Sequence, residues 1–140
     1  MIVIDASIAV KWYRDEAGSD LASTLLAETV GELVAPDLFA IEVAAALVRH
    51  TNATKSARAS MERALAAFQR ALADGAVDLA ATRPQRLGLA ARLGMDLGHP
   101  LKDCLYLALA MDLGCPLVTA DARFAAKARG VFGEVRVLGE

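Results

Sequence analysis

Short apolar runs, each too brief for a helix and separated by stretches of helical periodicity, constrain this chain more than any other feature. They are Ile2-Val3-Ile4, Leu33-Val34-Ala35, Pro116 to Thr119 and Val135 to Leu138. Continuous apolar runs of this length suit strands buried on both faces. A further short strand is expected at Val77 to Ala80. Helices are expected over Ser7–Tyr13, Ser19–Val30, Asp37 to about His50, Lys55–Ala73, Pro84–Leu97, Leu101–Leu113 and Asp121–Arg129. Ser7 and Asp37 are suited to N-cap their helices, and Gly75 and Gly98 to end theirs. Leu21, Leu25 and Leu26 share one side of the second helix, and Met61, Leu65, Phe68 and Leu72 form the stripe of the fourth. Leu101–Leu113 is apolar nearly all round from Cys104 to Met111, which predicts a buried helix. Strands alternating with helices predict an α/β fold: a mostly parallel central sheet of four to five short strands flanked by about seven helices.

The 140 residues suit one domain, 1–140, with a core large enough to need no disulfide or metal staple. Fifteen basic residues against 17 acidic give a net charge of −2, which argues against a strongly basic nucleic-acid binder at the level of the whole chain. Asp5 interrupts the first apolar run, so no signal peptide is read, and no later stretch approaches a membrane span. The expected location is cytoplasmic. Cys104 and Cys115 lie in apolar surroundings and read as buried reduced thiols. His50 and His99 show no zinc-ligand spacing, and His99 is read as part of the loop before the buried helix.

Four carboxylates lie among apolar neighbours. Asp5 closes the first strand, Glu42 is the sole charge from Leu38 to Val48, Asp103 opens the buried helix, and Asp121 follows Leu117-Val118-Thr119-Ala120. Asp5 and Asp121 also suit N-caps, and Asp103 suits a first helical turn. Glu42 suits neither, because it is mid-helix, where a desolvated lone carboxylate costs several kcal/mol; Arg49, about two turns on, is the partner that would neutralise it. In an open parallel sheet, ligands bind beyond the carboxyl ends of the strands, where Asp5 and Asp121 sit. Acids converging there repel one another unless protonated or joined by a cation. Oxygen donors without His or Cys point to a hard ion, Mg²⁺ with Mn²⁺ as an alternative, and so to phosphate-ester or diester hydrolysis by a metal-activated water. Ser7 and Thr119, each two residues from an acid, are placed to support that pocket.

Four segments carry a family resemblance: Val3-Ile4-Asp5-Ala6-Ser7, Pro36 to Val48 around Glu42, His99 to Ala110 around Asp103, and Pro116 to Asp121 with Arg123-Phe124. In order and spacing they resemble PIN-domain ribonucleases, and within those the VapC toxins of bacterial toxin–antitoxin pairs. The resemblance implies a PIN-like fold and places the family's acidic catalytic quartet on Asp5, Glu42, Asp103 and Asp121. Its hydroxyl positions fall on Ser7 and Thr119. It further implies Mg²⁺- or Mn²⁺-dependent cleavage of RNA, often structured RNA such as tRNA, a homodimer, and a cognate antitoxin that blocks the site. Within that scheme Asp5 and Asp103 are the expected principal metal ligands. Some relatives carry a further acid beyond the Thr-x-Asp element, where this chain has Ala-Arg-Phe-Ala-Ala-Lys, so one firmly bound Mg²⁺ is expected.

Two other acid-pocket classes fit less of the chain. A haloacid dehalogenase-like phosphatase needs a second Asp at position 7, which is Ser, and a non-enzymatic receiver-like domain needs an acidic pair after the first strand. Positive charge for RNA is concentrated from Arg49 to Arg92, where eight basic residues face three acids; Arg49, Arg58 and Arg63 are the candidate RNA contacts. Lys102 and Arg123, beside two of the acids, are read as surface ion pairs. Trp12 and Tyr13 are expected to pack the first helix against the sheet.

Overall fold

A computed structural model describes residues Met1–Glu140. The first apolar run forms β1 (Ile2–Ile4), followed by α1 (Ala6–Tyr13) and α2 (Ser19–Glu28). Next come β2 (Leu33–Pro36), α3 (Leu38–Ala53), a 3₁₀ turn (Lys55–Ala57), α4 (Arg58–Ala73) and β3 (Asp78–Ala80). The last elements are α5 (Pro84–Leu97), α6 (Leu101–Leu113), β4 (Leu117–Thr119), α7 (Ala122–Ala128) and β5 (Val135–Val137). The strands join in one sheet of order β3-β2-β1-β4-β5, parallel throughout. This matches the expected α/β architecture in both strand and helix number. No helix is long and apolar enough to cross a membrane.

β1 is central, with Val3 paired to Val34 on one side and to Leu117 on the other. The chain runs outward from β1 through β2 to β3, then returns to β4 on the opposite side of β1. Such a reversal leaves a crevice at the carboxyl ends of β1 and β4, the usual ligand position in an open parallel sheet. α6 is buried from Cys104 through Ala110 and packs on β1, β2, β4 and α5. Fully buried Leu107 and Leu109 each contribute about 1.5–3 kcal/mol relative to exposure. Gly98 and Gly114, both left-handed at φ +60° and +61°, end α5 and α6 where a side chain would strain the turn.

Several local expectations shift. Asp5, not Ser7, is the N-cap of α1, because the Ser7 hydroxyl is used elsewhere. α3 continues to Ala53, and Lys55 lies in the 3₁₀ turn, with α4 starting at Arg58. Leu21 is half exposed while Ala22 is fully buried, and the Trp12 indole donates to the Ala22 carbonyl at 2.9 Å, packing α1 on α2 there. Of the α4 stripe, Met61 and Phe68 are buried, whereas Leu65 reaches the surface. Tyr13 meets Phe68 of α4 edge-on, where packing against the sheet was expected, and Cys104 and Cys115 are buried free thiols, as expected.

Candidate active site

Asp5 is placed by the end of β1 and the start of α1. Its Oδ1 accepts from the Ser7 amide at 3.4 Å, and its Oδ2 accepts from the Thr119 hydroxyl at 2.7 Å. Thr119, the last residue of β4 and fully buried, also accepts from the Asp121 amide at 3.0 Å. Ser7 Oγ accepts from the Ala120 amide at 3.2 Å. The two hydroxyls thus tie the carboxyl end of β1 to that of β4. Because the Thr119 hydroxyl has one proton to give, it presents that proton to Asp5 and fixes the direction of the bond.

Asp121 caps α7 through Oδ1, which accepts from the Phe124 amide at 3.0 Å. Capping and site membership are therefore compatible for both Asp5 and Asp121, since each cap leaves carboxylate oxygen surface facing the crevice. Glu42 is held differently from the sequence expectation. Its Oε1 accepts from the buried Tyr106 hydroxyl at 2.7 Å, and its Oε2 lies 3.7 Å from Lys102 Nζ. Arg49 is not its ion-pair partner. Tyr106 comes from α6, 64 residues on in the chain, so no local spacing announces the contact. Burial and the Glu42 carboxylate both push the Tyr106 phenol far above its ordinary range, so it remains a donor.

A cleft of about 220 Å³ joins these groups. It is lined by Asp5, Ser7, Glu42, Arg49, Asp103 and Asp121, with Ala6, Val10 and Ala46 as its apolar wall. All four carboxylates singled out in the sequence share this cleft, as do Ser7 and Arg49. Thr119 lies beneath it. Arg58 and Arg63 do not line it. Arg58 is paired with Glu62 at 2.8 Å and borders a separate groove between α3 and α4 with Leu47, Val48, Met61 and Leu65. Arg86, another of the basic residues, is tied to Asp112 at 2.9 Å.

Burial pushes the Asp5 carboxyl up to about 6, the Thr119 hydrogen bond opposing the shift and Asp103 and Glu42 adding to it. A carboxylate desolvated among like charges is the environment that a divalent cation relieves. The donor set fits such an ion: Asp5 and Asp103 face one cleft, with Glu42 and Asp121 beside them. Since the ion needs the ionised carboxylate, its apparent affinity is expected to fall about tenfold per pH unit below 6, the range set by Asp5. Calorimetric titration with Mg²⁺ at pH 5 and pH 7 checks this, and equal affinities would remove Asp5 from the ligand set.

His99 lies in the loop before α6, as expected, but its contact with a site carboxylate was not anticipated. Its Nε2 lies 2.6 Å from Asp103 Oδ2, and its ring stacks on Phe124 with centroids 4.7 Å apart. The available signal was the four-residue spacing from His99 to Asp103 across the start of α6. Pro100 hid it, since a residue before proline reads as loop.

Parallel strands, a switch-point crevice and four converging carboxylates define an α/β domain with an acidic cleft at the strand ends. The chain belongs to the PIN domain family, which matches residues 2–130. Members of this family are typically metal-dependent nucleases. Among solved structures, the chain is similar to the crystal structure of PAE2754 from Pyrobaculum aerophilum, with a TM-score of 0.69 at 18% identity. That alignment covers 98% of this chain and 88% of the other, a likeness of fold. Comparison with curated proteins gives no match.

Proposed function

We propose that this chain is a Mg²⁺-dependent endoribonuclease acting as the toxin of a toxin–antitoxin pair, with residues 1–140 working as one PIN domain. The observation that carries the catalytic part is the single cleft lined by Asp5, Glu42, Asp103 and Asp121 at the carboxyl ends of β1 and β4. Asp5 and Asp103 are the principal ligands for the ion. When bound, the ion supplies a Lewis acid for the phosphodiester and lowers the pKa of the attacking water. Glu42, anchored by Tyr106, and Asp121, anchored by its cap to α7, orient that water within the cleft. Thr119 and Ser7 keep the two strand ends in register, so Asp5 cannot swing away.

Arg49 is the cationic side chain in the cleft lining and meets the RNA phosphate there. Arg58 and Arg63, on α4 outside the cleft, are the further candidates for phosphate contact, Arg58 leaving Glu62 to make it. The toxin role, the homodimer, the antitoxin and a structured RNA such as tRNA as substrate rest on the resemblance of the four sequence segments to VapC toxins. An antitoxin segment bearing an Arg would complement the acidic cleft through charge-assisted hydrogen bonds.

The test is cleavage of total RNA by purified protein in Mg²⁺, in chelator, and for Asp103→Asn. Cleavage in Mg²⁺ alone is expected, reduced at least about 100-fold in the other two arms. Undiminished cleavage in chelator would overturn the metal-dependent reading. Phosphate release from a small monoester with intact RNA would favour the haloacid dehalogenase-like alternative.

A further inference from the structure

The loop that carries His99 is pinned on several sides. The His99 amide donates to the Gly94 carbonyl at 3.0 Å, and a Cβ at position 94 would stand 3.0 Å from the His99 carbonyl oxygen. Lys127 Nζ donates to the Gly98 carbonyl at 3.1 Å. The imidazole lies nearly flat on Phe124, at 25°, and its side chain is only 11% exposed. Nε2 is thereby held against Asp103, an acid of the cleft lining.

Ligand atoms of His99, Asp103 and Asp121 all lie within 4.8 Å of one another. Two donors each about 2.1 Å from one ion stand roughly 3 Å apart, so His99 and Asp103 already hold nearly the required spacing. Asp121 spends only Oδ1 on its helix cap and keeps Oδ2. Asp121 is also exposed, so its side chain has room to close the remaining distance. Asp103 has two oxygens, and Oδ2 is the one turned to His99.

We propose that His99, Asp103 and Asp121 form a second cation site, with one nitrogen and two oxygen donors, that takes a divalent transition-metal ion in preference to Mg²⁺. The chemical reason is the imidazole: Mg²⁺ favours oxygen and retains water, whereas Mn²⁺, Co²⁺ and Zn²⁺ accept imidazole nitrogen readily. To hold the ion the ring would present the Nε2 lone pair, the tautomer that carries its proton on Nδ1. Asp103 then lies between this site and the Asp5 ligand set. The proposal deepens the metal-dependent reading of the cleft and rests on it for the role of Asp103.

The test is Mn²⁺ bound to wild-type protein and to His99→Gln, with excess Mg²⁺ present to fill the oxygen-only site. Pulsed electron paramagnetic resonance is expected to show ¹⁴N modulation from a coordinated imidazole in the wild type and none in the variant. Mn²⁺ affinity is expected to fall at least about tenfold in His99→Gln, with Mg²⁺ affinity changed less than about threefold. Bound Mn²⁺ without nitrogen modulation in the wild type overturns the proposal, and that result does not depend on any variant folding. Equal loss of Mn²⁺ and Mg²⁺ affinity in His99→Gln also overturns it, assigning His99 to the orientation of Asp103. A wild type that shows the nitrogen signal but cleaves no RNA keeps this site and rejects the nuclease reading.

Discussion

Asp5→Asn is expected to abolish RNA cleavage and, in the metal-free protein, to raise stability. The first effect follows from removal of a principal ligand, a loss of at least about 100-fold in rate. The second follows from linkage. The folded chain holds the Asp5 proton to about pH 6, whereas the ordinary value is 3.8. Between those values the folded state binds more protons than the unfolded state, so stability declines as pH rises through that window. Above pH 6 the full penalty of ionising a buried carboxylate is present, on the order of 3 kcal/mol for a shift of about two pH units. Asn has the shape of the carboxylate and no charge to desolvate; its one oxygen keeps the 2.7 Å bond from Thr119 and gives up the longer 3.4 Å bond from the Ser7 amide.

Metal-free Asp5→Asn should therefore melt roughly 10 °C above the metal-free wild type at pH 8 and level with it near pH 4. Added Mg²⁺ closes that gap and then reverses the order, because only the wild type gains binding energy, about 2.7 kcal/mol at one hundred times Kd and about 4.1 kcal/mol at one thousand times Kd. Differential scanning calorimetry at the two pH values, with and without Mg²⁺, reads all of this. A variant less stable than wild type at pH 8 would show that Asp5 is a structural cap first and a cation ligand second.

Phe124→Ala is expected to cost about 3–5 kcal/mol, the usual range for emptying a buried aromatic site. Phe124 is 1% exposed and lies at the first turn of α7, where its amide also completes the cap on Asp121. A loss of that size removes a large share of the stability of about 5–15 kcal/mol expected of a domain. Truncation also withdraws the surface on which His99 stacks, so the imidazole loses its fixed aim at Asp103. Phe124→Leu, which keeps most of the volume, should lose far less. Urea unfolding of the two variants measures the difference, and a Phe124→Ala cost below about 1 kcal/mol would mean that the site collapses around the vacancy.

The fold was legible because its signals are local. The apolar runs at β1, β2 and β4 and the all-round apolar face of α6 need only near neighbours to be recognised. Glu42 was legible for the same reason, as a charge stranded among Leu38, Phe39, Ala45 and Ala46. Its partner was not. Arg49 is the obvious candidate along α3, yet the Tyr106 hydroxyl from α6 and the Lys102 ammonium take the carboxylate. Leu21 shows the same limit, since a helix wheel does not reveal that the neighbouring Ala22 is the residue pressed beneath the Trp12 indole.

The net charge of −2 likewise changes meaning in three dimensions. Four of the 17 acids and one of the 15 basic residues, Arg49, are gathered in one cleft, leaving 14 basic against 13 acidic residues elsewhere, so the acidity belongs to the site more than to the general surface. The sequence by itself determined the α/β alternation, the strand ends and which carboxylates were out of place, because these depend on hydrophobic period and on charge in an apolar context. Only the tertiary structure decided that β1 and β4 lie side by side, that Thr119 reaches Asp5, and that His99 joins Asp103 and Asp121. Those contacts join residues up to 114 positions apart, and packing of the sheet and α6, not any local preference, brings them within hydrogen-bond reach.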